Sequence, residues 1–81
     1  MIWYTYIVKS SGENPIYYTG ITTNVNKRIE THNKGKGSKI LRGSKLPVKL
    51  IKFWQFENKS QASKEEYRIK HLTREEKLKL I

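Results

Sequence analysis

Ile2–Val8 is a run of aromatic and β-branched residues in which Trp3 and Thr5 alternate with Tyr4 and Tyr6. Such a run predicts a β-strand with the two sets on opposite faces. Turn residues follow from Ser10 to Pro15, and Ile16–Ile21 repeats the strand chemistry, so the first two elements form a hairpin. Gly20 stands near the end of the second strand, where a glycine often marks close approach of a ligand or another backbone. From residue 22 to 33 the spacing turns helical. Val25, Ile29 and His32 share a face, Thr22, Thr23 or Asn24 can cap the start, and Asn33, Gly35 and Gly37 end the helix.

Residues 34–46 carry no apolar period and form a connection longer than most in compact domains, which itself points to binding. Pro47 opens a third strand, Val48–Phe56, and a helical region starts near Ser60. It breaks at Leu72–Glu76, where Thr73 and Glu76 have capping-box spacing for a last short helix. The order ββαβα(α) predicts an α+β fold, a three-stranded antiparallel sheet packed with two to three helices in a two-layer sandwich. A length of 81 residues suits one domain, 1–81, with a modest core.

Charge sharpens this picture. The chain has 17 basic and 7 acidic residues, a net charge of +10. Lys34, Lys36, Lys39, Arg42, Lys45, Lys49 and Lys52 follow one another with no acid among them. Such a stripe suits a polyanion, because each phosphate contact releases condensed counterions. A solvated face that only maintains solubility is the plainer alternative. An anionic membrane surface fits less well, since the stripe has no amphipathic helical pattern. The chain contains no cysteine, which excludes disulfides and thiolate chemistry. Its N-terminal apolar run has no charged segment before it and is too short to span a bilayer, so a cytoplasmic protein is expected.

Several residues carry candidate chemistry. Ala62, Ile69 and Leu72 mark the apolar stripe of the late helix, and Glu66 falls inside it. An inward carboxylate needs a partner, and a metal ion would supply one; a Ser63–Glu66 capping box is the structural alternative. Arg28 and His32 are four apart on their helix and therefore neighbours. A guanidinium beside an imidazole suits a phosphate, though a surface arginine and a half-buried histidine would look the same. Sheet packing alone would account for the tyrosines. No cysteine and histidine cluster suggests zinc, and "GKGSK" is no phosphate loop, because Glu30 stands where its upstream glycine would be.

Taken in order, these elements resemble the GIY-YIG nuclease superfamily, and within it the small stand-alone single-domain branch. Tyr4, Thr5 and Tyr6 stand for the first motif, and Tyr18, Thr19 and Gly20 for the second. Arg28, His32 and Asn33 continue the match, and Glu66 to Lys70 closes it. The resemblance covers essentially the whole chain and implies an endonuclease that hydrolyses DNA phosphodiester bonds and selects structure over sequence. Glu66 would be the sole protein ligand of Mg²⁺ or Mn²⁺, an arrangement usual for a metal that keeps its waters. Arg28 would stabilise charge on the phosphate. Tyr6, Tyr18 and His32 would surround the attacking water, with His32 as base or proton shuttle and Tyr18 positioning the water. Gly20, Asn33, Lys34, Lys36, Lys39, Arg42 and Lys45 would line the bound strand. A protein partner would supply further specificity. Two departures from the pattern concern rate more than fold: Ile21 where relatives carry a lysine, and Leu78 where some carry an asparagine. They keep two other readings open, a nuclease-like binding module without turnover and a structural protein that binds RNA.

Overall fold

The computed structural model describes residues 1–81. Its elements are β1 (Trp3–Lys9), β2 (Tyr17–Thr22), α1 (Val25–Asn33), β3 (Lys49–Phe56), α2 (Lys59–Lys70) and α3 (Arg74–Leu80), with a 3-10 turn at Gly43–Lys45. The expected α+β class and the three-stranded antiparallel sheet are both present, and all three helices form. The strand order is β2-β1-β3, so the first strand is central and pairs antiparallel with both neighbours. Across the sheet Gly20, Tyr6 and Phe53 stand in one row.

A β-bulge interrupts the pairing of β1 with β3. Ile7 opposes Lys52 and Val8 opposes Leu50, so Ile51 is the extra residue. Its effect is to put Leu50 and Phe53, three apart in sequence, on the face that carries Tyr6 and Val8.

Alternation along β1 divides its side chains between two environments. Thr5 and Ile7 are buried on the face covered by α2, whose buried residues are Ala62 and Ile69. The Thr5 hydroxyl donates to the Ala62 carbonyl at 2.8 Å. On the other face, Tyr6 and Val8 join Leu41 and Val48 in the core cluster, with Ile16, Tyr18, Ile29, Leu46 and Leu50 packed against them. The helix-on-sheet packing expected from sequence is thus the α2 side. The opposite face is closed by α1 together with the segment after it.

Helix starts follow their capping residues. Asn24 caps α1 by accepting from the Lys27 N–H at 3.1 Å, and Asn58 caps α2 by accepting from the Gln61 N–H at 2.9 Å. The expected capping box of α3 forms between Thr73 and Glu76. The Ser63–Glu66 alternative does not, because α2 already starts at Lys59 and Ser63 lies in its interior.

The basic segment is less free than its charges suggest. Leu41 is fully buried in the core cluster beneath it. The Lys45 carbonyl accepts from the Ser11 N–H at 2.9 Å, which ties the segment to the hairpin turn. No helix is long and apolar enough to cross a membrane.

Candidate active site

Tyr6 is the node of the site. It projects from the central strand, and its hydroxyl lies 2.9 Å from His32 Nε2. The Arg28 Nε–H donates to the same hydroxyl oxygen at 3.3 Å. The spacing of four on α1 therefore does bring Arg28 and His32 together, on one phenol oxygen. Tyr18 closes the group from β2. Its ring is 5.4 Å from the His32 ring in an edge-on arrangement and 6.5 Å from the Tyr6 ring. Arg28 also lies close enough to Tyr18 for the two side chains to interact.

Two glycines make room for these rings. A Cβ on Gly20 would stand 2.5 Å from the Tyr6 hydroxyl oxygen and 2.7 Å from its Cζ. A Cβ on Gly37 would overlap His32 Nδ1. Gly20 thus serves the site by letting Tyr6 lie across β2, the close approach its strand position suggested. By sequence Gly37 is only one of the residues that end α1. It belongs to the site through a contact that no local pattern encodes.

His32 has no exposed surface, and Tyr6 is only 1% exposed. The backbone N–H of Ser38 points at His32 Nδ1 from 3.4 Å. Both ring nitrogens therefore face polar groups inside the fold, Nδ1 the Ser38 amide and Nε2 the Tyr6 hydroxyl. Burial first, and the Arg28 charge second, hold the imidazole below its ordinary value and so favour the neutral form. For Tyr6, burial pushes the phenol up against the pull of Arg28, and the charges of Tyr18 and Glu66 act in the same direction as burial. Tyr6 is therefore a neutral phenol near pH 7, and the bond to it raises the Arg28 value further.

Tyr18, Arg28 and Glu66 are partly exposed and form the open side of the group. Glu66 sits on α2, with Oε2 3.3 Å from the Lys70 ammonium. Lys70 Nζ in turn stands 6.0 Å from the centre of the Tyr18 ring, so Glu66, Lys70 and Tyr18 form one chain of neighbours. The Glu66 charge is felt at Tyr6, which puts the carboxylate in the same electrostatic neighbourhood as the two phenols. No three acidic or imidazole side chains gather anywhere in the molecule. The donor set thus fits a hard cation that keeps most of its waters and takes one carboxylate, and does not fit an all-protein cage. Lys70 competes for the same oxygen.

Beside Arg28 lies an open cavity of about 290 Å³, lined by Thr22, Thr23, Asn24, Lys27, Arg28 and Thr31. It has no apolar lining residue. Of the residues expected to line a bound strand, Lys36, Lys39 and Arg42 are exposed and take part in no ion pair. Lys34 is paired with Glu30 at 2.9 Å, and Lys45 is partly buried. Asn33 uses its side-chain oxygen to accept from the Val48 N–H at 2.7 Å, which fixes the entry to β3.

Comparison with known proteins shows the family to which this fold belongs. The family model of the GIY-YIG catalytic domain matches residues 2–79. A UPF0213 protein of Clostridium perfringens is 53% identical over 96% of this chain and 81% of its own. One from Staphylococcus haemolyticus is 47% identical over 96% of this chain and 92% of its own. The solution NMR structure of a UPF0213 protein from Bacillus halodurans superposes with a TM-score of 0.60 at 41% identity, covering 99% of this chain and 82% of that one. The phenol, guanidinium and carboxylate group is carried on the fold of this domain, and the chain belongs to the GIY-YIG catalytic domain family, a family of nucleases.

Proposed function

We propose that the protein is a divalent-metal-dependent endonuclease that hydrolyses DNA phosphodiester bonds and selects substrates by structure. The observation that carries this reading is the convergence of Arg28 and His32 on the Tyr6 hydroxyl, with Tyr18 and Glu66 on the open side of the same group. Arg28 binds the scissile phosphate and stabilises the charge that builds on its oxygens. Its bond to Tyr6 orients the guanidinium before substrate arrives. Tyr18 is the phenol that solvent can reach, and it holds the attacking water. His32 was expected as base or shuttle. Buried and in contact with the Tyr6 hydroxyl through Nε2, it also holds that phenol in place. Glu66 would hold the metal, whose chemistry is to polarise the phosphate and ease departure of the sugar oxygen. The exposed Lys36, Lys39 and Arg42 hold the strand by its backbone, which positions it without reading its sequence.

A second reading is a binding module without turnover, and the Lys70 ammonium seated on Glu66 favours it. The test uses labelled single-stranded, duplex and branched DNA with Mg²⁺, Mn²⁺ or EDTA, for the wild type and Glu66→Ala. The nuclease reading expects cleavage by the wild type only, abolished by EDTA. Equal binding by both proteins with no cleavage of any substrate would instead favour the binding module.

A further inference from the structure

The row formed by Gly20, Tyr6 and Phe53 continues away from the phenol group into a second cavity. Cross-strand neighbours stand about 5 Å apart, so this cavity begins one strand from Tyr6. It measures about 370 Å³, and its apolar wall is Tyr4, Val25, Leu50 and Phe53. Tyr4 and Phe53 pack edge to face at 5.9 Å and 73°. Phe53 is nevertheless 50% exposed, on the face whose other central residues are buried. Thr23 and Asn24 line both this cavity and the cationic one beside Arg28. The two spaces are therefore adjoining, one aromatic and one lined by Lys27 and Arg28.

We infer that the aromatic cavity seats an unpaired DNA base next to the scissile phosphate. The inference rests on the nuclease reading and gives it a substrate: a strand whose base is free to leave the stack. The pairing of one aromatic chamber with one cationic chamber matches the two halves of a nucleotide. A phosphate on Lys27 and Arg28 directs its own base toward Phe53. A base in a duplex hides both ring faces against its neighbours and cannot enter. An unpaired base offers a face to Phe53, and stacking of this kind tolerates any base. The +10 charge of the chain supplies the attraction, and the ring supplies the preference for single strands.

Binding measured in EDTA separates this proposal from cleavage. The probe is a short fluorescein-labelled DNA single strand, compared with its duplex and with the same strand as RNA, by anisotropy. Phe53→Ala should weaken single-strand binding about tenfold and leave duplex binding unchanged, given the usual strength of base stacking on an aromatic ring. Phe53→Tyr should restore it, and Phe53→Leu, which keeps apolar bulk, should not. The salt dependence of binding should keep its slope in Phe53→Ala and lose about one unit in Lys27→Ala. Tyr67→Ala removes an aromatic residue that is 66% exposed on α2 and should change nothing. Equal loss for duplex and single strand, full rescue by leucine, an equal effect of Tyr67→Ala, or dependence on Phe53 for RNA alone would each overturn the proposal. Cleavage without dependence of binding on Phe53 would remove the base site and leave the nuclease. Binding dependent on Phe53 with no cleavage would remove the nuclease reading and leave the base site.

Discussion

Thr5 and Ile7 point one way from β1, and Tyr6 and Val8 point the other. On the α2 side, contact is mostly apolar, with one hydroxyl bonded to a helix carbonyl, the Lys59 ammonium over the Trp3 ring and the buried Thr19 hydroxyl, which has no partner. That side can change in detail while volume is kept. On the α1 side, a phenol, an imidazole and a guanidinium depend on each other through two hydrogen bonds and two glycine gaps. There every group needs its particular neighbour, since a buried polar group that loses its partner is penalised in full. One strand thus carries a tolerant face and an intolerant face, and the difference lies in how many of its contacts are specific.

The sharpest separation of the two faces should come from the open side of the polar one. Glu66→Gln is expected to bring DNA cleavage to background, and Arg28→Ala to lower it by about 10²–10³-fold. The partly exposed Glu66 should leave the melting free energy within about 0.5 kcal/mol of the wild type. Ile7→Ala should do the reverse. It removes a fully buried side chain at a loss of about 2–5 kcal/mol, while cleavage per folded molecule stays the same. Gly20→Ala should act on both readouts, losing about 1–3 kcal/mol by overpacking and displacing the Tyr6 ring. If Gly20→Ala keeps full activity and stability, the faces are not as different as described.

A finer separation comes from pH. His32 is held below its ordinary value of 6.5 by burial and by Arg28. The unfolded chain therefore takes up the proton first. Its contribution is fully present above about 6.5 and is lost as pH falls toward the lowered folded value. Denaturant melts at pH 7.5 and at lower pH should show this loss in the wild type and a smaller one in His32→Gln. The smallest effects are expected in the basic segment. Lys36→Ala, Lys39→Ala or Arg42→Ala should each weaken DNA binding a few-fold, reduce its salt slope by about one, and leave turnover of bound substrate intact.

The elements were legible in the sequence where the period was clean. The alternation in Ile2–Val8 and the polar turn at Ser10–Pro15 give the hairpin, and the Thr73–Glu76 spacing gives α3. The meeting of Arg28 and His32 was legible too, because helical spacing is local. Contacts between residues far apart in sequence were not. Gly37 lies five residues after His32 in a segment without period, and nothing nearby announces that its missing Cβ holds an imidazole. Leu41 is hidden among lysines and still reaches the core, so the long basic connection looked looser than it is. Lys70 stood within the quoted match, yet its place between Glu66 and Tyr18 depends on how α2 lies beside the edge strand. The Ser38 N–H that faces His32 Nδ1 was not legible either, because a sequence cannot aim a loop amide.

The bulge in β3 has a consequence for chain length. Counting along the strand, Lys52 and Phe53 belong to one phase of the alternation and Lys49 and Leu50 to the next, with Ile51 between them. Deleting Ile51 would close the gap and keep each of these four side chains on its present face. Deleting Leu50 would instead bring Ile51 opposite Val8 on the Tyr6 face, and deleting Lys52 would bring it opposite Ile7 on the other face. The strand therefore has one position at which its length can vary by a residue without altering what either surface of the sheet presents.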